Sequence, residues 1–308
     1  AGTLDFKPGG ILAGRADGLM TAILLGLYAF GIGKAALMPI HRWLPAAMVA
    51  PTPVSALLHA VAVVKAGVFC VVKVVVYVFG IEFLSLTHAS EWLMYVAAAT
   101  LLIASLVAMT RDNLKARLAY STVSQLSYIV LGVSLATTAG VIGASMHIAM
   151  HAFGKITLFF CAGAIYTALH KTEISDMAGI GRQMPITMAA FLIGALSVIG
   201  LPPMGGSWSK WYLMLGAVEA DRLVFVAALM ISSLLNVAYL LPVVGCAFFL
   251  TPGNPAARSV GAAATPTTGF QEAPWFCVAP LCFTALGCIV LFFYADAIYA
   301  LLAPIAAP

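Results

Sequence analysis

Charged residues are scarce in this sequence, and their scarcity decides the class of protein. Only 8% of the 308 residues are charged, whereas 63% are hydrophobic and the mean hydropathy is +1.05. A soluble domain carries about 25% charged residues, so a soluble fold is excluded. The net charge of +4 offers no basic patch large enough to bind nucleic acid. We therefore expect a protein that lives in a lipid bilayer.

The sequence also lacks the motifs of redox and metal chemistry. Its six cysteines lie in apolar runs and form no CxxC pair, which favours small buried hydrophobic side chains over ligands. No flavin, quinone or iron–sulfur motif is present, and we expect no signal peptide before the first apolar run. We predict no cofactor, no metal site and no redox step carried out by this chain itself.

The apolar runs are continuous rather than alternating, which predicts helices rather than a β-barrel. We predict an all-α polytopic membrane protein with about eight transmembrane helices, two of them broken by proline. A Gly-rich external arm at 1–17 precedes a transmembrane domain at 18–308, and a polar loop at 251–274 precedes the last span. The predicted spans are 18–44, 50–79, 92–110, 118–137, 140–169, 186–218, 223–250 and 275–302.

Basic residues lie inside these spans, whereas every aspartate and glutamate lies in a predicted loop or near a span end. A lysine at the bilayer centre costs about 3 kcal/mol on insertion scales, so an intramembrane lysine is a functional hypothesis by default. Desolvation disfavours its charged form, which suits proton transfer. We therefore expect these lysines to be neutral in part or to pair with a carboxylate from elsewhere. The mid-span lysines are Lys34, Lys65, Lys155 and Lys210.

Two spans share an interruption. Lys34 precedes Pro39 in the first predicted span, and Lys210 follows the GLPPMGG stretch at 200–206. Broken transmembrane helices expose backbone groups at membrane depth, which is tolerated where protein or a cavity meets them. Paired breaks favour an internally repeated transporter with two equivalent lysines. The alternative is a proline kink beside a snorkelling lysine.

His147, His151 and Lys155 follow one another at intervals of four residues, which predicts one stripe on a helix. Neighbours on such a stripe are close enough for one water to connect them, as a proton relay requires. Two alternatives remain open: HxxxH could bind a haem or a zinc ion, or the histidines could simply hydrogen-bond across helices.

A polar face also marks the fourth span, at Ser121, Ser124, Gln125 and Tyr128. This pattern predicts either interhelical hydrogen bonds or a lining that holds water beside the relay.

The loops differ in basic charge, and this predicts orientation. One set of alternate loops carries seven lysines and arginines and the other carries three. The richer set should face the cytoplasm, which places both chain termini at the periplasm or exterior. The expected location is the cell (inner) membrane.

Four long motifs resemble the antiporter-like membrane subunits shared by respiratory complex I and Mrp cation/proton antiporters, with the D-type Mrp chain the nearest in pattern. The resemblance covers nearly the whole chain and implies fourteen helices with two inverted five-helix repeats, of which this chain would hold helices 7 to 14. It implies a proton-transferring axis, a role for His59 and Lys65 in a linking helix, and a glutamate facing Lys34 from the absent helices. The motifs are GKAALMPIHRWLPAAMVAPTPVSALLHAVAVVKAGVF, LKARLAYSTVSQLSYIVLG, MHAFGKITLFFCAG and GLPPMGGSWSKW.

These observations favour a transporter subunit that exchanges protons for a monovalent cation, Na⁺ or K⁺. The alternatives are a proton-pumping membrane subunit of an NADH:quinone oxidoreductase and a structural membrane scaffold. In each case we expect other membrane subunits as partners, one of which supplies the missing helices or carboxylate. The predicted proton-translocating residues are Lys34, His59, Lys65, His147, His151, Lys155 and Lys210.

Overall fold

The structure, a computed structural model, describes residues 5–7, 9–250 and 269–306. Within these ranges the chain is helical apart from turns and one isolated bridge between Asn113 and Glu173, which confirms the all-α prediction. Most of the predicted loop at 251–274 lies outside the described residues, as do residues 1–4 and 8 of the predicted arm.

The first part of the chain forms short helices because proline and glycine interrupt it. Helix α1 begins after Asp17, whose carboxylate accepts a hydrogen bond from Met20 N at 2.9 Å. The predicted two half-helices in span 18–44 are wrong, because α1 ends at Gly31 and the next helix has only four residues. The elements are α1 (Gly18–Gly31), α2 (Trp43–Ala46), α3 (Thr52–Ala56), α4 (Val63–Lys73) and α5 (Ile81–Thr87), with π-helical turns at Leu57–Val61 and Val74–Phe79.

The second part of the chain follows the predicted spans more closely. The break at 200–205 falls where the sequence predicted it, but the last predicted span, 275–302, divides into two helices around Tyr294. The longer helices are α6 (Glu91–Met109), α7 (Leu114–Ser134), α8 (Thr138–Leu169), α10 (Pro185–Ile199), α11 (Gly206–Glu219), α12 (Leu223–Phe249), α13 (Trp275–Phe293) and α14 (Ala295–Ala306), and the short α9 (Ile180–Gln183) precedes α10.

Fewer helices than predicted are complete membrane spans by length and hydropathy. Among the described residues, α6, α8, α12 and α13 are each long and apolar enough to cross a bilayer. The bent pair Val63–Phe79 and Ile81–Thr87, with an angle of 77°, would make a fifth. The other predicted spans are not counted by this measure, mainly because breaks divide several apolar runs into helices shorter than the bilayer is thick.

Carboxylates lie at helix starts, where the exposed backbone N–H groups favour negative charge. Glu219 accepts from Ala139 N (3.2 Å) at the start of α8. Glu272 accepts from Ile186 N (2.7 Å) and Thr187 Oγ (2.6 Å) at the start of α10. These acids therefore stabilise helix ends and lie away from the mid-span lysines.

Helix α8 is the central element and packs against α7, α10, α11 and α13. Gly143 permits a close approach to α11, because a Cβ at this position would lie 2.7 Å from Leu213 N. Gly67 likewise lets α4 contact the backbone of Lys34 and Ala35. Small residues at such crossings let helix backbones approach in membrane proteins.

Gly143→Ala should destabilise the protein by about 1–3 kcal/mol, because the added methyl group meets backbone atoms of α11 that cannot move independently. Thermal unfolding of the detergent-solubilised protein provides the measurement. Gly245→Ala is the matched control, because a Cβ there meets nothing within 4 Å. Equal melting temperatures for the two variants would contradict the close crossing.

Candidate functional site

Helix α8 carries the predicted stripe through the middle of the bundle. His147 and His151 are each 2% exposed and Lys155 is fully buried. The two imidazole rings stack with their centroids 5.7 Å apart. The sequence prediction that these groups share one helix is confirmed, and packing from four helices keeps the stripe from lipid.

Lys65 joins this stripe from α4. Its ammonium Nζ is hydrogen-bonded to His151 Nδ1, and its side chain is 7% exposed. The other ring nitrogen of His151, Nε2, has no hydrogen-bond partner among the described residues. The pair can therefore hold a proton on either partner, while Nε2 remains open to a further donor or acceptor such as water.

His147 is held from two sides. Its Nε2 lies 3.1 Å from Gln125 Oε1 on α7, and its Nδ1 lies 2.9 Å from Ser209 Oγ on α11. The Ser209 hydroxyl also lies 3.1 Å from the Gly206 carbonyl oxygen. When the hydroxyl donates to Nδ1 the neutral imidazole is satisfied, and when it donates to Gly206 it can accept from the imidazolium. His147 can thus change charge without losing a partner.

Lys155 turns away from the histidines toward α7. Its Nζ donates to Ser121 Oγ (2.7 Å) and to the Leu118 carbonyl oxygen (3.1 Å). The Tyr239 hydroxyl on α12 donates to the same Ser121 oxygen (2.9 Å) and is also hydrogen-bonded to Asn236. Among the described contacts, the Lys155 ammonium therefore bonds to a second polar cluster and not directly to His151.

Lys210 lies at the break between α10 and α11. Its Nζ donates to the Ile199 carbonyl oxygen (2.8 Å) at the end of α10 and to Ser233 Oγ (3.0 Å). The ammonium also lies 4.6 Å from the centroid of the Tyr128 ring. A cation at the C-terminal end of a half-helix is favoured by the helix dipole, so the break creates the site for this lysine.

The structure does not bring all the predicted residues together. Lys34 lies in a 3₁₀ turn beside the first break, as predicted, but its side chain is exposed, so its predicted place in the interior is wrong for this chain alone. His59 lies in the turn Leu57–Val61, and its side chain is outside the described part. Ser124 bonds to Ser105 (2.9 Å) and Ser232 (3.5 Å) rather than to the histidines.

Sequence reasoning missed the polar face of α12. Ser232, Ser233 and Tyr239 supply hydrogen-bond partners for four of the predicted residues, and Asn236 bonds to Tyr239. The four are Ser121, Ser124, Tyr128 and Lys210. The spacing of the α12 residues over two turns of one apolar helix could have indicated a polar face on this helix. Gln125 and Tyr128 also contact the predicted stripe on α8, because Gln125 is hydrogen-bonded to His147 and the Tyr128 ring stacks on the His147 ring.

The arrangement suits proton transfer because it consists of titratable groups, hydroxyls and amides in a buried interior. In the described part of the chain, none of the hydrogen bonds of Lys65, His147, His151, Lys155 and Lys210 goes to a carboxylate. Like charges in this space repel one another strongly, so the cluster cannot be fully protonated at once. Adding a proton at one member therefore favours release from another.

The sequence left two other interpretations of the histidines open, a haem or zinc site and simple hydrogen bonding between helices. Both nitrogens of His147 are hydrogen-bonded within the protein, and no group of three or more His, Cys, Asp or Glu side chains in the described ranges could hold a metal ion. Interhelical hydrogen bonding does occur, to α4, α7 and α11. It is compatible with the proton-transfer interpretation, since the bond to α4 connects two titratable groups, Lys65 and His151.

Comparisons with known proteins point in one direction. The family described as "NADH:quinone oxidoreductase/Mrp antiporter, TM" matches residues 2–236. A curated relative, NADH-quinone oxidoreductase subunit N of Desulforudis audaxviator, is 36% identical over 285 residues, which are 89% of this chain and 55% of the relative. The chain therefore spans about half the length of that relative.

Two solved structures share the fold. A chain of the Mrp complex from a Dietzia species superposes with a TM-score of 0.81 at 23% identity, covering 100% of this chain and 62% of that one. A chain of the archaeal membrane-bound sulfane sulfur reductase superposes with a TM-score of 0.79 at 26% identity, covering 96% and 57%. The antiporter-like membrane fold predicted from the motifs is confirmed by these superpositions.

Ser121→Ala should lower the free energy of unfolding by about 1–3 kcal/mol, because it removes the shared acceptor of the Lys155 ammonium and the Tyr239 hydroxyl in a buried site. Ser127→Ala on the same helix is the control, since that buried hydroxyl bonds only to the Val123 carbonyl oxygen among the described contacts. Chemical unfolding in detergent measures both. A Ser121 variant as stable as the Ser127 variant would argue against the shared bond.

Proposed function

Because the chain belongs to the NADH:quinone oxidoreductase/Mrp antiporter transmembrane family, we propose that it is a proton-translocating membrane subunit of a multisubunit complex. The observation that carries the proposal is the contact of Lys65 with His151, which stacks on His147. A lysine and two histidines that contact one another in a row can pass a proton through the bundle, and no carboxylate is needed between them. A purely structural scaffold would have no use for buried groups that are costly to desolvate.

The proposed path has an inner segment and two ends. In the inner segment, a proton moves between Lys65 and His151 and on to His147, whose Ser209 contact accommodates either charge state. Lys155, bonded to Ser121, forms one end. Lys210, bonded to Ser233 and the end of α10, forms the other. Waters would complete the gaps, as the open Nε2 of His151 suggests.

Lys34 would act at an interface with another polypeptide or with a part of the protein beyond this sequence. Its exposed position, beside the break after α1, leaves it free to meet a carboxylate. Such a pair would hold Lys34 charged, and separating the two groups would promote proton release. Lys34 and Lys210 would then have equivalent roles at two breaks, one completed from outside the chain and one from within.

Two kinds of complex could use this subunit. The first is a monovalent cation/proton antiporter in the cell membrane, with both chain termini facing the exterior. The second is a quinone oxidoreductase, in which other subunits carry the electrons and this chain moves protons only. The name of the 36%-identical relative favours the second, and the polar axis fits both. In vesicles that contain the antiporter, a Na⁺ or K⁺ gradient should drive proton movement. In vesicles that contain the oxidoreductase, electron transfer to a quinone should drive it.

Lys155→Met should reduce coupled proton flux at least tenfold while the complex still assembles, because a hydrophobic side chain of similar length keeps the packing but carries no proton. The measurement is the fluorescence of a pH-sensitive dye inside vesicles that contain the complex. Lys73→Met is the control, since Lys73 lies over the Phe6 ring (4.1 Å) and away from the axis. Normal flux in the Lys155 variant would leave only the scaffold interpretation.

Lys34 should form a zero-length cross-link to an aspartate or glutamate outside this sequence when the intact complex is treated with a carbodiimide. Such a reagent joins an amine to a carboxylate that it already contacts. Mass spectrometry identifies the linked peptides, and Lys34→Arg should remove the link. A structure of the complex in which no acidic group lies within one water of Lys34 would refute this pairing.

A further inference from the structure

A second feature is a groove at one end of the bundle. It encloses about 680 Å³ between the segment 48–53, the start of α7, the end of α8 and the start of α13. This end of the molecule carries the basic loops that the charge distribution assigns to the cytoplasm. The groove is therefore level with one surface of the membrane.

Its walls are apolar and aromatic. Phe160, Pro280 and Cys277 line the interior, and Phe276, which is 90% exposed, forms part of the edge. Tyr166 lines the same groove and is about half exposed. Aromatic side chains of this kind concentrate at the boundary between hydrocarbon and head groups, so the walls continue into the lipid.

Its polar rim is basic. Lys115 and Lys171 both line the groove, with Lys115 Nζ bonded to the Ala50 carbonyl oxygen (2.9 Å) and Lys171 Nζ to the Asp176 carbonyl oxygen (2.6 Å). Each ammonium has three donors, so each keeps donors for a ligand. No aspartate or glutamate of the described ranges lines the groove. Burial lowers the pKa of Lys171, and the Asp176 carboxylate partly opposes this shift.

We propose that this groove binds an anionic phospholipid. The phosphate would accept hydrogen bonds from Lys115 and Lys171, and an acyl chain would lie along Phe160 and Phe276. Paired lysines with apolar walls at the membrane surface match both parts of such a lipid, and basic pockets between helices on the cytoplasmic side commonly hold lipid head groups. An acidic segment of a partner subunit would match the lysines but would leave the wall facing the hydrocarbon uncovered.

The first test measures which lipid stays bound. The intact complex is purified after incubation with dioleoyl phosphatidylglycerol or dioleoyl phosphatidylcholine, and native mass spectrometry counts the retained lipid. Phosphatidylglycerol should be retained at least fivefold more than phosphatidylcholine, and Lys115→Gln with Lys171→Gln should abolish that preference. Arg182→Gln is the control, because it removes an exposed charge at the same end outside the groove. Equal retention in the double variant and the control would overturn the proposal.

The second test measures whether a lipid occupies the groove in the assembled complex. N-ethylmaleimide labels Cys277 in the groove and Cys282, an exposed residue of the same helix that does not line it. Added phosphatidylglycerol should slow labelling of Cys277 at least threefold and leave Cys282 unchanged, whereas glycerol phosphate, which has no acyl chains, should protect neither. Protection of Cys277 in delipidated complex would indicate a protein segment in the groove and would contradict the proposal.

Discussion

The fold depends on burying several basic groups in an apolar bundle without a carboxylate partner in the described part of the chain. An isolated charge in such an interior is very costly, so each group must find hydrogen bonds or give up its proton. The structure meets this constraint with neutral oxygens from serine, glutamine and the backbone. Lys65 and His151 go further and share one contact between two titratable groups. A site stabilised in this way favours partial protonation, which is the property that proton transfer needs.

The broken helices and close helix crossings place these oxygens next to the buried basic groups. The break between α10 and α11 frees the Ile199 carbonyl for Lys210, and Gly200, with φ +89°, ends α10 in a left-handed conformation that glycine adopts without strain. The Gly143 crossing brings α11 close enough for Ser209 to reach His147. Broken helices and small residues would weaken a soluble bundle, but here they bring backbone and hydroxyl oxygens to buried lysine and histidine side chains.

The two breaks differ in what surrounds them. Around Lys210, helices α7 and α12 complete the site with the Tyr128 ring and the Ser233 hydroxyl. Around Lys34 the described residues leave the side chain exposed. The described part of the chain therefore completes the site at the second break and leaves the side chain at the first break uncovered.

The sequence by itself determined the class of protein, most helix boundaries beyond residue 90 and the identity of the central groups, because hydropathy, proline position and four-residue spacing are local properties. It could not determine which groups meet. Lys155 shares a stripe with His151 but bonds to Ser121, while Lys65, 86 residues away from His151 in the chain, takes that contact. Nor could it reveal that α12 supplies Tyr239 and Ser233, or that Lys34 lies exposed. Those outcomes depend on how helices far apart in sequence cross, and only the tertiary structure fixes that, since a hydrogen bond requires contact within about 3 Å.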